Sequence, residues 1–289
     1  MKAINFVDHL DDLPTLSAVA QQINESEQKK SLNSKFLSEI ICQDPALAAK
    51  ILKLSNSAYY GQAKQVKTID RAVTLLGFNT VKSLALSVSV YNILTSLKSD
   101  GFDFEGLWHH SLGCAVAAKT LAMGCQHHAA IGEHAFLGGI LHDIGLFAFA
   151  YKLPDEMAQM MQMSTDMQWS MADVEREIMG FTHPKIGGLL AEKWNFPEEY
   201  VLAVKYHHHE IFPAAVRENP QYQIIVHCVG VGNQLAKAIN IGKSCDHDKD
   251  KISPALWEKL HVERGDLPAI RDNILESYNI LLDSWGEIG

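Results

Sequence analysis

Three observations predict an all-α fold for this chain. Apolar residues recur at intervals of three and four almost throughout, strand-like alternation is scarce, and helix-capping residues punctuate the periodic runs. Hydrophobic residues make up 47% of the 289, enough for a substantial core and too many for a disordered chain.

The first helix is expected over residues 16–23, opened by Leu13-Pro14-Thr15 with Thr15 as its cap, before a polar stretch at 24–31 breaks the pattern. Phe36, Leu37, Ile40 and Ile41 form the next apolar stripe. Asp44 and Pro45 read as cap and first-turn residues of a helix over 46–54, with Leu47, Ile51 and Leu54 on one face. Residues 55–61 read as a loop. Ile69, Ala72, Val73 and Leu76 mark a helix closed by Gly77, and 81–94 marks another. Lys98-Ser99-Asp100-Gly101 is a polar connector between two helical bodies.

Beyond the connector, 107–123 and 133–151 read as long buried helices, and 153–179 as amphipathic. Six methionines, Met157, Met160, Met161, Met163, Met167 and Met171, crowd that last run; filling an uneven core is their ordinary role, and an adaptable binding face is the alternative. Helices follow at 184–194 and 197–209, the latter with Glu198 and Glu199 complementing its N-terminal dipole. An apolar helix over 224–239 and a polar insert at 242–251 precede the closing segments, which end near Trp285.

Charge is uneven along the chain. Up to position 97 there are ten Lys and Arg against eight Asp and Glu; beyond it, 15 against 26 give most of the net −9. An acidic larger part disfavours a phosphate backbone as partner. Lys50, Lys53, Lys64, Lys67, Arg71 and Lys82 form a loose basic group whose ordinary reading is a solvated face. No apolar run approaches the roughly 18 residues of a membrane span. The first residues, Met1-Lys2-Ala3-Ile4-Asn5, carry no signal-like block. Five scattered cysteines without a Cys-x-x-Cys pair read as small buried hydrophobes in a reducing compartment. The expectation is a cytoplasmic protein with no membrane association.

The chemistry concentrates at His142-Asp143, inside the apolar stretch from Leu137 to Leu146. An ionised carboxylate is rarely buried unless paired or bound to metal. Partners are available in His110, His183, His207 and His208. On helical spacing His110 aligns with Cys114, Ala117 and Leu121, a buried stripe, whereas His109 aligns with Gly113, Val116 and Thr120; either fits a ligand, and His110 fits better. His208 shares a face with Val201 and Val204, and His207 follows Tyr200 and Ala203. Any one of these residues alone is as readily a hydrogen-bonded core histidine, or a His–Asp pair that only fixes packing. Five histidines with one aspartate are hard to satisfy without an ion, and imidazole with carboxylate suits iron, manganese, nickel or zinc. One or two divalent ions are expected. His9, His127, His128, His247 and His261 lie in polar surroundings and carry no assigned role.

Seven blocks stand in order along the chain: Leu13-Pro14-Thr15-Leu16, the run from Asp44 to Ser57, the run from Ile69 to Gly77, Leu107-Trp108-His109-His110-Ser111, Gly139-Ile140-Leu141-His142-Asp143-Ile144-Gly145, Gly180-Phe181-Thr182-His183-Pro184 and Tyr206-His207-His208. Together they resemble the HDOD domain, a branch of the HD-domain metal phosphohydrolase superfamily related to the HD-GYP proteins. The resemblance covers about residues 7–210. It implies an HD-like helical bundle from about 102 with an N-terminal helical lobe to about 97; beyond the resemblance, continuing apolar helices predict a C-terminal helical extension over 211–289 packed on the bundle. It further implies metal ligands at His110, His142, Asp143, His183, His207 and His208, with His142 and Asp143 at the heart of any catalysis. A late aspartate is also expected, and Asn233 stands there, with His227 as a possible substitute ligand. After the histidine pair, His209-Glu210-Ile211-Phe212-Pro213 replaces the Gly-Tyr-Pro segment of cyclic di-GMP phosphodiesterases, which disfavours that substrate.

Two functions follow from this reading. The first is a bacterial signal-transduction module that carries a divalent-metal site and acts on a protein partner or a nucleotide ligand. The alternative is a metal-dependent phosphohydrolase or phosphodiesterase, in which Lys185 is available to neutralise phosphate, although a plain surface lysine is its ordinary reading.

Overall fold

The computed structural model describes residues 6, 13–62, 64–98, 101–124, 129–208, 212–246, 254–260 and 262–286. The five histidines given no role, Cys125, Ser99-Asp100 of the expected connector and residues 209–211 lie outside that set. Among the described residues every regular element is helical.

The N-terminal helices are α1 (Ala18–Gln28), α2 (Ser34–Ile41), α3 (Pro45–Ser55), α4 (Ile69–Leu76) and α5 (Phe78–Ser96). Ser17 rather than Thr15 caps α1, its hydroxyl accepting from the Ala20 amide at 3.2 Å. The helix also continues through the polar stretch expected to end it. Asn24 is buried there and donates to the Trp194 carbonyl at 3.1 Å, so a tertiary hydrogen bond replaces the apolar contact that periodicity looks for. Asp44 caps α3 as expected, accepting from the Leu47 amide at 3.0 Å. Asp44→Ala should therefore cost about 1 kcal/mol, read as a lowered denaturant midpoint; an unmoved midpoint would show the cap to be idle.

The chain continues through α6 (Phe104–Gly124), α7 (Ala129–Leu141), α8 (Ile144–Lys152), α9 (Pro154–Met167), α10 (Met171–Met179), α11 (His183–Lys193) and α12 (Glu198–Tyr206). It closes with α13 (Ala214–Arg217), α14 (Pro220–Ala238), α15 (Pro254–Lys259) and α16 (Leu267–Gly286). Helices α6, α7 and α14 pack on one another and supply the backbone of the bundle. Their closeness depends on small residues: a Cβ on Gly139 would stand 2.5 Å from the Ala115 Cα, so only glycine lets α7 lie this near α6.

The stretch 133–151 is two helices, not one. The chain turns at His142 and Asp143, with Asp143 (φ −101°, ψ 15°) preceding α8. Ala130–Lys152 is apolar and long enough by composition to cross a membrane, contrary to the sequence expectation, because hydropathy averages across that turn; 89% of its most apolar window is buried within the protein. The amphipathic run 153–179 likewise divides, at Gln168 (φ +53°) and the Ser170 cap. Met157, Met160 and Met171 fill core, while Met167 is exposed.

One ion pair lies within the N-terminal helices, and another lies within the bundle and is reached from α5 by a hydrogen bond. Lys82 of α5, assigned above to a solvated basic face, is buried and paired with Glu27, so the basic group loses one member. Lys119 of α6 meets Glu133 of α7 at 2.6 Å, and Thr80 of α5 donates to the same carboxylate at 3.1 Å. Trp285, near the end of α16, packs on Trp108 and Tyr91 with ring centroids 5.2 and 5.1 Å away. Cys114, Cys228 and Cys245 are buried as expected, but Cys42 ends α2 at the surface.

Candidate metal centre

Four helix ends and two helix interiors converge on Asp143. His110 comes from the middle of α6, Asn233 from α14, and the His142-Asp143 turn joins α7 to α8. His183 opens α11, and His207 and His208 follow the end of α12. On an unbroken helix, His142 and Asp143 would point about 100° apart. The turn between α7 and α8 removes that obstacle, and both side chains face the same interior.

The carboxylate is shared in two directions. Its Oδ2 lies 3.0 Å from His142 Nε2 and 3.8 Å from His110 Nε2. Its Oδ1 lies 3.4 Å from His183 Nε2 and 3.6 Å from His207 Nε2. His208 Nε2 sits 3.2 Å from His183 Nε2. Donor atoms of His110, His142 and Asp143 fall within 4.8 Å of one another, and so do those of Asp143, His183, His207 and His208. All six residues singled out in the sequence are thus brought together, as two groups hinged on one aspartate. His109 belongs to neither. His227 packs on Phe212 at 4.9 Å and also belongs to neither, whereas Asn233 Oδ1 lies 3.1 Å from His110 Nε2. Lys185 is exposed on α11.

Hydrogen bonds on the far side of the rings fix which nitrogen faces inward. His142 Nδ1 donates to the Gly139 carbonyl and His207 Nδ1 to the Val204 carbonyl, both at 2.7 Å. In the neutral ring, Nε2 then carries the lone pair, aimed at a carboxylate that offers only lone pairs of its own. Accordingly, the buried Nε2 atoms of His142 and His207 have no hydrogen-bond partner. A divalent cation satisfies all of these atoms together, and three or four imidazoles with a carboxylate are the donors that first-row metals take.

Glu175 was not found from the sequence. It is wholly buried on α10, accepts from His183 Nδ1 at 2.8 Å and from the His183 amide at 2.7 Å, and so holds that ring with Nε2 inward. A carboxylate alongside Met171 and Val174 on an apolar face was its signal. Glu175→Gln puts an amide N–H where an acceptor is required. Metal affinity should fall about 10–100-fold, measured by titration against a chelator; unchanged affinity would leave Glu175 a packing residue.

Burial and charge split the group electrostatically. Burial holds His110 down at about 4, reinforced by neighbouring His142. Burial likewise pushes His207 and His208 well below the usual range, with His208 and His183 respectively adding to the effect. For His142 and His183 burial acts in the same direction but is overcome. Asp143 lifts His142 well above the usual range, and Glu175 leads in raising His183 to about 9. Burial disfavours the Asp143 anion, yet His142 outweighs it and keeps the carboxyl ionised. Without an ion, then, protons on His142 and His183 fill the gap. A metal must displace them, so affinity should rise with pH from 6 toward 9, with protons released on binding; a pH-independent affinity would contradict this.

Residues 13–210 match the HDOD domain. Over its whole length the chain superposes on an HDOD domain protein of unknown function from Geobacter sulfurreducens, with TM-score 0.72 and 21% identity, covering 99% of this chain and 94% of that one. A protein from Shewanella amazonensis SB2B, provisionally described as a phosphohydrolase, superposes with TM-score 0.74 and 22% identity over 99% and 98% of the two chains. An uncharacterized protein of Treponema pallidum (strain Nichols) is 25% identical over 238 residues, which span 82% of this chain and 45% of that protein. The chain therefore matches less than half the length of that relative.

Proposed function

The chain belongs to the HDOD domain family, and from that premise we propose that it is a metal-dependent phosphohydrolase working within signal transduction. The observation that carries this reading is Asp143, ionised and buried, with four imidazole Nε2 atoms within 3.8 Å of its two oxygens. The sequence alone favours a signalling module with little or no catalysis; two donor groups that share the Asp143 carboxylate move the balance toward hydrolysis. The phosphohydrolase description of the Shewanella protein supports the same class.

His110, His142 and Asp143 would hold one ion, and Asp143, His183, His207 and His208 a second. Ions held there would polarise a phosphoryl oxygen and bring water toward deprotonation near neutral pH. The chain's own part is preorganisation. The Gly139 and Val204 carbonyls and Glu175 set three imidazoles in one tautomer, and the buried Asp143 supplies a fixed negative charge between the groups. Overall, water adds to phosphorus, the ester P–O bond breaks, and the alcohol leaves carrying the proton.

Freshly purified protein loaded with manganese or iron is expected to turn over aryl phosphates or nucleotides, and to stop when chelated. Metal-loaded protein inert toward nucleotides, cyclic nucleotides and aryl phosphates would refute the hydrolase. The regulatory reading has one observation in its favour: Asn233 gives His110 a neutral amide where a carboxylate was expected, so the His110 group holds less negative charge. Asn233→Asp should then raise metal occupancy.

A further inference from the structure

We infer that His134 and Glu199 are positioning residues for the metal centre: their pair fixes the register of α7 against α12, and with it the placement of His207 opposite His142. The inference rests on the metal-centre reading above and concerns how that same site is assembled.

The two helices run side by side toward Asp143 and meet at three matched levels. At the outer level His134 Nδ1 donates to Glu199 Oε1 at 3.2 Å. Four residues on, a Cβ on Gly138 would stand 3.3 Å from the Ala203 Cβ. Four residues further, the His142 and His207 rings stand perpendicular with centroids 5.1 Å apart. Each step advances both chains by the same four residues, so a single offset relates all three levels. The ligands therefore lie eight residues, or about 12 Å, along each chain from the pair.

The levels differ in what they resist. Gly138 and Ala203 let the helix axes come close, but small apolar surfaces do not oppose a slide along them. His142 and His207 turn their second nitrogens to backbone carbonyls of their own helices and make no bond to each other. The outer level supplies a directional bond between the helices. The His134 ring also stacks on wholly buried Tyr200, with centroids 5.5 Å apart and planes 23° from parallel. Burial disfavours the Glu199 anion, yet the His134 hydrogen bond and the charge on Lys82 hold its carboxyl below the usual range. Its place in the first turn of α12 favours the anion as well.

The N-terminal lobe anchors this same level. Thr80 of α5 donates to Glu133, the neighbour of His134, at 3.1 Å. Lys82, two residues on, pairs with Glu27 of α1 while its field reaches Glu199. At the inner end, His142 belongs to one donor group and His207 to the other. A slip between α7 and α12 thus changes the gap across which Asp143 is shared. The group of His110, His142 and Asp143 contains nothing from α12 and would keep its ion.

The test is manganese titration of the full chain followed by electron paramagnetic resonance. Wild-type protein should bind two ions and give the exchange-coupled signal of a carboxylate-bridged pair. His134→Leu should bind the second ion about tenfold or more weakly and keep the first, so that an uncoupled signal replaces the coupled one. His134→Asn, which retains an N–H donor near the Nδ1 position, should restore both ions. Glu199→Met removes the same bond from the other helix and should match His134→Leu, which covers poor folding of either variant. Asp44→Ala, destabilised at a distance from α7 and α12, should bind both ions as wild type does. Crystal structures of the chelated proteins read the register without metal. The separation of 5.1 Å between the His142 and His207 rings should persist in His134→Asn and change by about 1 Å or more in His134→Leu. Unchanged two-ion binding and ring separation in both His134→Leu and Glu199→Met would overturn the inference, as would a loss that asparagine fails to restore. Wild-type protein that takes up fewer than two manganese ions would instead count against the metal-centre reading, and the chelated structures would still decide the pair.

Discussion

Asp143→Asn should strip the protein of tightly bound metal. The substitution keeps the shape of the side chain and removes the one negative charge that the two histidine groups share. Four imidazole nitrogens lie 3.0 to 3.8 Å from its oxygens, so both groups lose their common ligand in a single change. The loss in affinity should exceed the roughly 10–100-fold typical of removing an outer partner such as Glu175. Fold should survive in the metal-free state, because His110, His207 and His208 are uncharged in the buried site, Glu175 still faces His183, and His142, once Asp143 no longer raises it, can shed its proton to burial. The measurement is metal content per chain after dialysis, alongside helical circular dichroism. Wild-type metal content in a folded Asp143→Asn protein would place the ion elsewhere.

Gly145→Ala should produce the largest loss of stability. Gly145 lies in the first turn of α8, where the chain passes over the start of α11. A Cβ built there would stand 2.1 Å from the His183 carbonyl oxygen, 2.8 Å from its carbon and 3.0 Å from the Gly187 amide nitrogen. All three are backbone atoms, so no side-chain rotation relieves the clash and one helix must shift. A cost of about 3 kcal/mol or more is expected, above the usual range for overpacking because the neighbour cannot yield. The displaced backbone belongs to His183, so metal affinity should fall with stability. Gly124→Ala is the matched control: its Cβ would meet nothing within 4 Å, and alanine at a helix end should be neutral or stabilising. Equal melting temperatures for the two variants would contradict the packing assigned to α8 and α11.

The same glycine illustrates what the sequence makes legible. Gly145 stands three residues from His142 in a motif readable by eye, yet only the packed backbone explains why it must be glycine. Helical class and most helix positions follow from periodicity and caps, as at Asp44-Pro45. Failures occur where a distant partner overrides the local signal. Asn24 stays helical because it reaches the Trp194 carbonyl, and Lys82 is buried because Glu27 meets it. The turn at His142-Asp143 was invisible because apolar residues flank it on both sides, as they would in one long helix. The site histidines were legible as a set: His110 and His142 lie among apolar residues and His208 shares a face with Val201 and Val204, where an unpaired imidazole is costly. Glu175 escaped because an acid in a helix that is half polar draws no notice until its partner is known. Lys185, which directly follows His183-Pro184, drew attention while facing solvent.

The most direct test of the account is X-ray absorption spectroscopy on manganese- or iron-loaded protein, compared with Asp143→Asn. The account predicts stoichiometric metal with several imidazole nitrogens and a carboxylate oxygen at about 2.0–2.2 Å, lost in the variant. A metal shell of water and surface carboxylates alone, identical in the two proteins, would contradict it.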